Sequence, residues 1–249
     1  MKAHTLARAS VLLVLGALAC SSESGDENQP DTTGLPAKYD PKGEYGIDID
    51  AADLTAAITN PLFPAPVGAK WVYESKGTSK LEHIEVSVEP GEKDVWGAKA
   101  RIVRDTVTVD GLLIEDTRDW YAQDDNGHVW YLGEDTAEYQ NGVLTCHCGA
   151  WEAGKNGALP GVIMLASPVT GYSYRQEYFA GEAEDYAKVV SLDETVTVPA
   201  GKFTGCLKTQ DMSALTPDAM AFKYYCPGVG LTLEEEGGER VELVEYSGL

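Results

Sequence analysis

The chain has 249 residues, 43% of them hydrophobic, and 40 acidic side chains against 19 basic ones give a formal net charge of −21. That apolar content excludes global disorder. So acidic a surface argues against nucleic acid or anionic lipid as a partner, because it repels phosphate instead of releasing counterions.

The first element is a leader. Lys2 and Arg8 precede an apolar run from Val11 through Ala19, and Cys20 then opens the polar stretch SSESGDENQP. A bilayer-spanning helix needs about 20 apolar residues, so this shorter run reads as a bacterial export signal over residues 1–19. Small residues Ala17 and Ala19 directly before a cysteine resemble the lipobox of bacterial lipoproteins, although Leu18 stands one place later than the usual leucine. The resemblance implies that Cys20 becomes the acylated first residue and lipid anchor. Each buried methylene of such an anchor contributes about 0.8 kcal/mol, and more than one chain makes attachment stable. The alternative is a secreted protein beginning with a free Cys20. Lipoproteins retained at the inner membrane of Gram-negative bacteria carry aspartate where this chain has Ser21, which implies a cell-envelope location and, in a Gram-negative host, the outer membrane.

Residues 20–46 are rich in Ser, Gly, Pro, Asp and Glu with few large apolar side chains, the composition of a flexible acidic tether. A single β-rich domain is expected over 47–249. At its start, DIDAADLTAAIT (48–59) sets Leu54, Ala57 and Ile58 at helical spacing and predicts a short helix. Beyond Pro61 the texture is strand and turn. KWVYESK, HIEVSVE, ARIVRDTVTV and RVELVEY alternate with period two, separated by EPGEK, VDGLL, DDNGH, YQNGV and PGVG. Hairpin connections throughout predict a mainly β fold: an antiparallel meander forming a curved sheet, half-barrel or sandwich, with at most short helices. GEAEDYAKVV (181–190) is the one later stretch that could make a helical turn or two.

The stretch DWYAQDDNGHVWYLGED (119–135), folded about Asn126, sets Tyr121 near Tyr131 and Trp120 near Leu132. Large apolar residues then lie on both faces of the ribbon, so the sheet must cover both by sandwiching or by curling round a hollow. A solid aromatic core is the competing expectation. With NPLFPAPVGAKWVYE (60–74), YRQEYFAGEAED (174–185), VPAGKF (198–203) and YYCPGVG (224–230), this stretch resembles a group of uncharacterised exported bacterial lipoproteins over about residues 60–246. VPAG-x-F and PGVG also occur in envelope proteins similar to the curved sheets of lipoprotein carriers. The likeness implies a β fold and an envelope location, and brings no activity with it.

Four cysteines follow Cys20: Cys146, Cys148, Cys206 and Cys226. An even number outside the cytoplasm predicts disulfides. A hairpin centred near Thr216 places Cys206 opposite Cys226, where a bond closing about 21 residues adds roughly 3 kcal/mol. Cys146 and Cys148 sit two apart in TCHCGAW; bonding them needs a bend, which Gly149 can supply. The alternatives are free thiols, pairing with the other two cysteines, or a copper or zinc site made of Cys146, His147 and Cys148. No nucleophile elbow, zinc-protease helix, Walker loop or dinucleotide fingerprint is present, and no catalytic residue is assigned. The expectation is a non-catalytic envelope domain that holds an apolar or aromatic small ligand or acts as an interaction module. The alternatives are the metal-binding protein and a carboxylate-pair hydrolase.

Overall fold

A computed structural model describes residues 34–40, 45–76 and 81–249. The leader, Cys20 and most of the tether therefore lie outside the described residues. Among the described residues, fourteen strands follow one another: β1 Lys70–Lys76, β2 Glu82–Val95, β3 Ala98–Val109, β4 Leu112–Gln123, β5 Val129–Gln140, β6 Val143–Cys146 and β7 Trp151–Glu152. The second half adds β8 Gly161–Met164, β9 Ser173–Arg175, β10 Asp185–Val198, β11 Gly201–Ser213, β12 Met220–Cys226, β13 Gly230–Glu236 and β14 Glu239–Ser247.

They make one curved antiparallel sheet in the order β6-β5-β4-β3-β2-β1-β14-β13-β12-β11-β10-β9, with β7 and β8 also pairing β5. Along that order every neighbour is a sequence neighbour except β1 against β14, which brings the two ends of the meander together in mid-sheet. Asp110-Gly111 and Asn141-Gly142 both turn through positive φ, the geometry of tight hairpins. The sheet does not close as a barrel. Its two ends approach where Leu159, ahead of β8, bridges Tyr178, beyond β9, with the Leu159 N–H donating to the Tyr178 carbonyl at 2.8 Å.

The N-terminal segment straps this seam. Within the stretch read as tether, Lys38 bridges Tyr174 of β9, and Tyr39 stacks on Tyr186 with ring centroids 4.0 Å apart. Tyr45 donates to the Pro160 carbonyl at 2.7 Å. The buried Arg175 guanidinium lies 4.6 Å from the ring of Tyr39 and 5.4 Å from that of Tyr178. Thr55 then bridges Gln123 at the end of β4. The Gln123 side-chain oxygen accepts the N–H groups of Thr59 and Asn60. The core below the seam contains Leu132, Met164, Leu165, Tyr174, Val189 and Leu207, each essentially inaccessible.

Four local expectations are corrected. The helix over 48–59 is a single 3-10 turn, Ala51–Asp53, because Leu54 and Ala56 bury with period two as Thr55 pairs with Gln123. GEAEDYAKVV holds no helix: Phe179 and Ala183 close a tight bridge, and β10 begins at Asp185. EPGEK is a bulge within β2, between Val88 and Glu92, and the chain reverses only at Trp96-Gly97. Tyr121 does face Tyr131, but a bulge sets Trp120 opposite Gly133 instead of Leu132.

Candidate functional site

Curling gives the concave face a lining of its own. Parity sends Ile84 and Val86 of β2, Val103, Asp105 and Val107 of β3, and Glu115, Thr117 and Asp119 of β4 into one cavity of about 690 Å³. Trp71 and Tyr73 of β1 form part of its wall, fixed by hydrogen bonds to the carbonyls of Val229 at 2.7 Å and Leu231 at 3.0 Å. From the far side come Tyr225 and Lys223 of β12 and Glu234 of β13. A hollow therefore forms beside an aromatic-rich buried core.

At the seam end the walls become aromatic and acidic together. Tyr121 and Tyr131 stack with centroids 4.8 Å apart, with Phe63 edge-on to Tyr121 at 4.9 Å and Trp151 edge-on to Tyr131 at 5.3 Å. The Tyr131 hydroxyl lies 2.5 Å from Asp119 Oδ1 and 3.1 Å from Glu134 Oε2. One phenol has one proton, so it can donate to only one of these carboxyls. The second contact is a hydrogen bond only if the other carboxyl carries a proton and donates to the phenol oxygen. Protein surrounding on most sides raises both groups: burial lifts the Asp119 carboxyl to about 7, and burial followed by Asp119 lifts Glu134 to about 8. Burial and the charge of Asp185 push Glu177 up as well. Against burial, Glu234 and Asp211 hold the Lys223 ammonium well above its usual range, and the Asp211 carboxylate lies 3.4 Å from it.

These raised carboxyls imply a pH dependence. The folded chain keeps protons on Asp119 and Glu134 that the unfolded chain loses near pH 4, so their contribution to stability is present in full below about pH 4. It is lost as pH rises to about 8. Urea unfolding is expected to give a stability several kcal/mol lower at pH 8.5 than at pH 5, on the order of 6 kcal/mol for the two groups together. Asp119→Asn with Glu134→Gln is expected to flatten that slope, and an unchanged slope in the double variant would refute the assignment.

The cysteines lie away from the cavity. Cys206 and Cys226 are bonded, S–S 2.04 Å, with Cα atoms 4.2 Å apart, where they continue the β11–β12 register. Cys146 and Cys148 are bonded at 2.24 Å; β6 ends at Cys146, and their Cα atoms come within 5.3 Å ahead of Gly149, which has φ +91°. The grouping Cys146, His147, Cys148 does not converge. His147 Nδ1 sits 3.3 Å from Asp135, and Glu138 is the residue that joins the two sulfurs within 4.8 Å. His83 lies on the surface between Glu74 and Glu85. His128 is buried, accepting from the Ala166 N–H and donating to the Gly34 carbonyl.

Sequence reasoning paired Tyr121 with Tyr131 across the hairpin but assigned no ligand-binding residue, and it missed Asp119, Glu134, Glu177 and Lys223. An available signal was carboxylates sharing strand parity with valines, as in Val103, Asp105 and Val107.

No family model matches the chain, and no curated protein matches it. Among solved structures, a candidate lipoprotein from Parabacteroides distasonis aligns over 76% of this chain and 99% of its own, at 16% identity and a TM-score of 0.38. A likeness of that size carries no argument about this chain.

Proposed function

We propose that this is a lipid-anchored envelope protein whose curved sheet holds an apolar or amphipathic small molecule, without catalysis. The observation that carries the binding role is the cavity. At about 690 Å³ it falls within the range of small-molecule sites, and its walls combine valines and rings with a few placed polar groups. The leader and Cys20 support the anchor, the outer-membrane location and export from the cytoplasm; an acylated Cys20 as the first residue of mature protein, found by mass spectrometry, is the expected check. No helix among the described residues is long and apolar enough to cross a membrane.

A neutral environment-sensitive dye, N-phenyl-1-naphthylamine, is expected to bind saturably at one site with micromolar affinity or better. Val103→Trp with Val86→Trp, which fill the hollow, are expected to weaken it at least tenfold. Non-saturable binding, or binding that the filled variant keeps, would end this reading.

The carboxylate-pair hydrolase has one observation in its favour. Asp119 and Glu134 share a phenol, so their nearest oxygens are separated by at most the sum of the two contacts, 5.6 Å. Retaining glycosidases separate their pair by about 5–5.5 Å. Tyr131 Oη, however, occupies the interval where a scissile oxygen would sit, which favours a binding device. The copper or zinc reading would need a reduced Cys146–Cys148 pair with Glu138, and zinc titration of reduced protein tests it.

A further inference from the structure

We infer that the molecule held in the cavity is an organic cation: an amine or quaternary ammonium carried on an apolar chain. The inference rests on the cavity being a binding site, as proposed above. The hollow makes the site, and the chemistry of its lining sets the sign of the ligand.

Among the described residues, nine acidic side chains line the cavity against one lysine. That lysine is engaged, with Asp211 at 3.4 Å and Glu234 directly across the β12–β13 ladder. An anionic amphiphile would have to desolvate its head beside the seam-end carboxyls Asp119, Glu134 and Glu177, where Lys223 is the one lining cation among the described residues and is already engaged. A bare metal ion fits poorly, because hard cations need a shell of oxygens and these walls are largely rings and valines. A bulky, weakly hydrated organic cation matches both components. Its charge meets carboxyls and the aromatic side chains of Tyr121, Tyr131, Tyr225 and Trp71, which line the same cavity, while its chain lies along Ile84, Val86 and Val107.

The seam-end carboxyls also couple binding to protons. Asp119 and Glu134 face Glu115 and Tyr121 from β4, Tyr131 from β5, Glu177 from the turn after β9, and Lys223 from β12; Asp185 and Tyr225 stand behind these. A bound cation favours their ionised forms. Uptake therefore releases protons, and affinity rises with pH until the carboxyls are ionised.

Three probes with one chain length separate the outcomes: decyltrimethylammonium, 1-decanol and decanoate, each below its micellar concentration, in calorimetric titrations of the mature protein. At pH 8 the cation is expected to bind at least about tenfold tighter than decanol, with decanoate weakest. At pH 6 the advantage of the cation shrinks several-fold, and buffers of different ionisation enthalpy report proton release. Asp119→Asn, Glu134→Gln and Glu177→Gln together are expected to bring the cation down to the affinity of decanol while leaving decanol binding intact, which also shows the variant is folded. Equal binding of all three probes, or a preference for decanoate, overturns the inference and leaves the cavity reading standing. Saturable binding of none overturns both.

Discussion

Replacing Cys206 and Cys226 together by alanine is expected to lower the free energy of unfolding by about 3–4 kcal/mol. The same replacement of Cys146 and Cys148 is expected to cost no more than about 1.5 kcal/mol. The difference follows from loop length and burial. The first bond joins residues 20 apart in sequence, and releasing that loop in the unfolded chain is worth roughly 3 kcal/mol. Both sulfurs are also buried, so alanine leaves a small void beside Thr232, whose hydroxyl lies 3.1 Å from the Cys226 sulfur. The bond sits where the sheet is least regular: Gly205 has φ +67°, and the β10–β11 register shifts twice between Ser191 and Thr195. The second bond spans two residues near the edge strand β6, and little chain entropy depends on it. Urea unfolding of each pair, with and without reductant, measures the contrast. Equal costs, or a loss below about 1 kcal/mol at Cys206 and Cys226, would show that the hairpin register is held by packing alone.

How far the fold is legible in the sequence depends on what sets each element. Alternation marks β1 through β4 because their two faces meet different surroundings, and an Asn-Gly or Asp-Gly pair fixes the residue count across a hairpin. Tyr121 thus falls opposite Tyr131, whereas Cys206 falls opposite Cys226 across the loop ALTPDA (214–219), which has no such pair and was legible only from its length. The slip at Trp120 comes from Gly133, whose φ of +132° admits an extra residue; a glycine inside a strand pattern was its sequence trace. At β2 the Pro-Gly of EPGEK is a bulge, and the reversal uses Trp96 at φ +53°, a bulky residue that turn rules would not select. In 48–59 the positions Leu54, Ala57 and Ile58 fit a helix and Leu54, Ala56 and Ile58 fit a strand. The pairing partner Gln123, 68 residues beyond Thr55, decides between them.

The site is harder to read for a geometric cause. A strand that alternates valine with carboxylate looks the same whether its polar positions face water or a hollow, because period two gives parity and not surroundings. Only the curl of the whole sheet turns Asp105, Glu115 and Asp119 inward. Glu177 and Lys223 reach the same place from the other end of the meander. The tyrosines of the N-terminal strap, Tyr39 and Tyr45, stand alone in a polar stretch, and nothing nearby in sequence announces that Arg175 waits between them.

Gly161→Ala is expected to cost at least about 3 kcal/mol, a change of the same size as losing the buried disulfide, and to empty the cavity before it unfolds the sheet. The cause is contact with backbone. A Cβ at residue 161 would stand 2.0 Å from the Gln176 carbonyl oxygen, 2.2 Å from its carbon and 2.7 Å from the Glu177 nitrogen. A side chain in the way could swing aside, but here main chain must move, and a core displaced by overpacking typically costs 1–3 kcal/mol even where side chains can yield. The main chain in question carries Glu177 into the cavity and continues into the Leu159–Tyr178 bridge, so making room for a methyl group separates the two ends of the sheet. Gly157 is the internal control: its φ is +86° and nothing lies within 4 Å of its would-be Cβ, so Gly157→Ala is expected to cost only the left-handed strain of about 1–2 kcal/mol. Thermal and urea unfolding of the two variants, with naphthylamine binding followed alongside, separate seam closure from backbone conformation. If Gly161→Ala proves no worse than Gly157→Ala and still binds the dye, the approach of β8 to the chain leaving β9 does not shape the cavity.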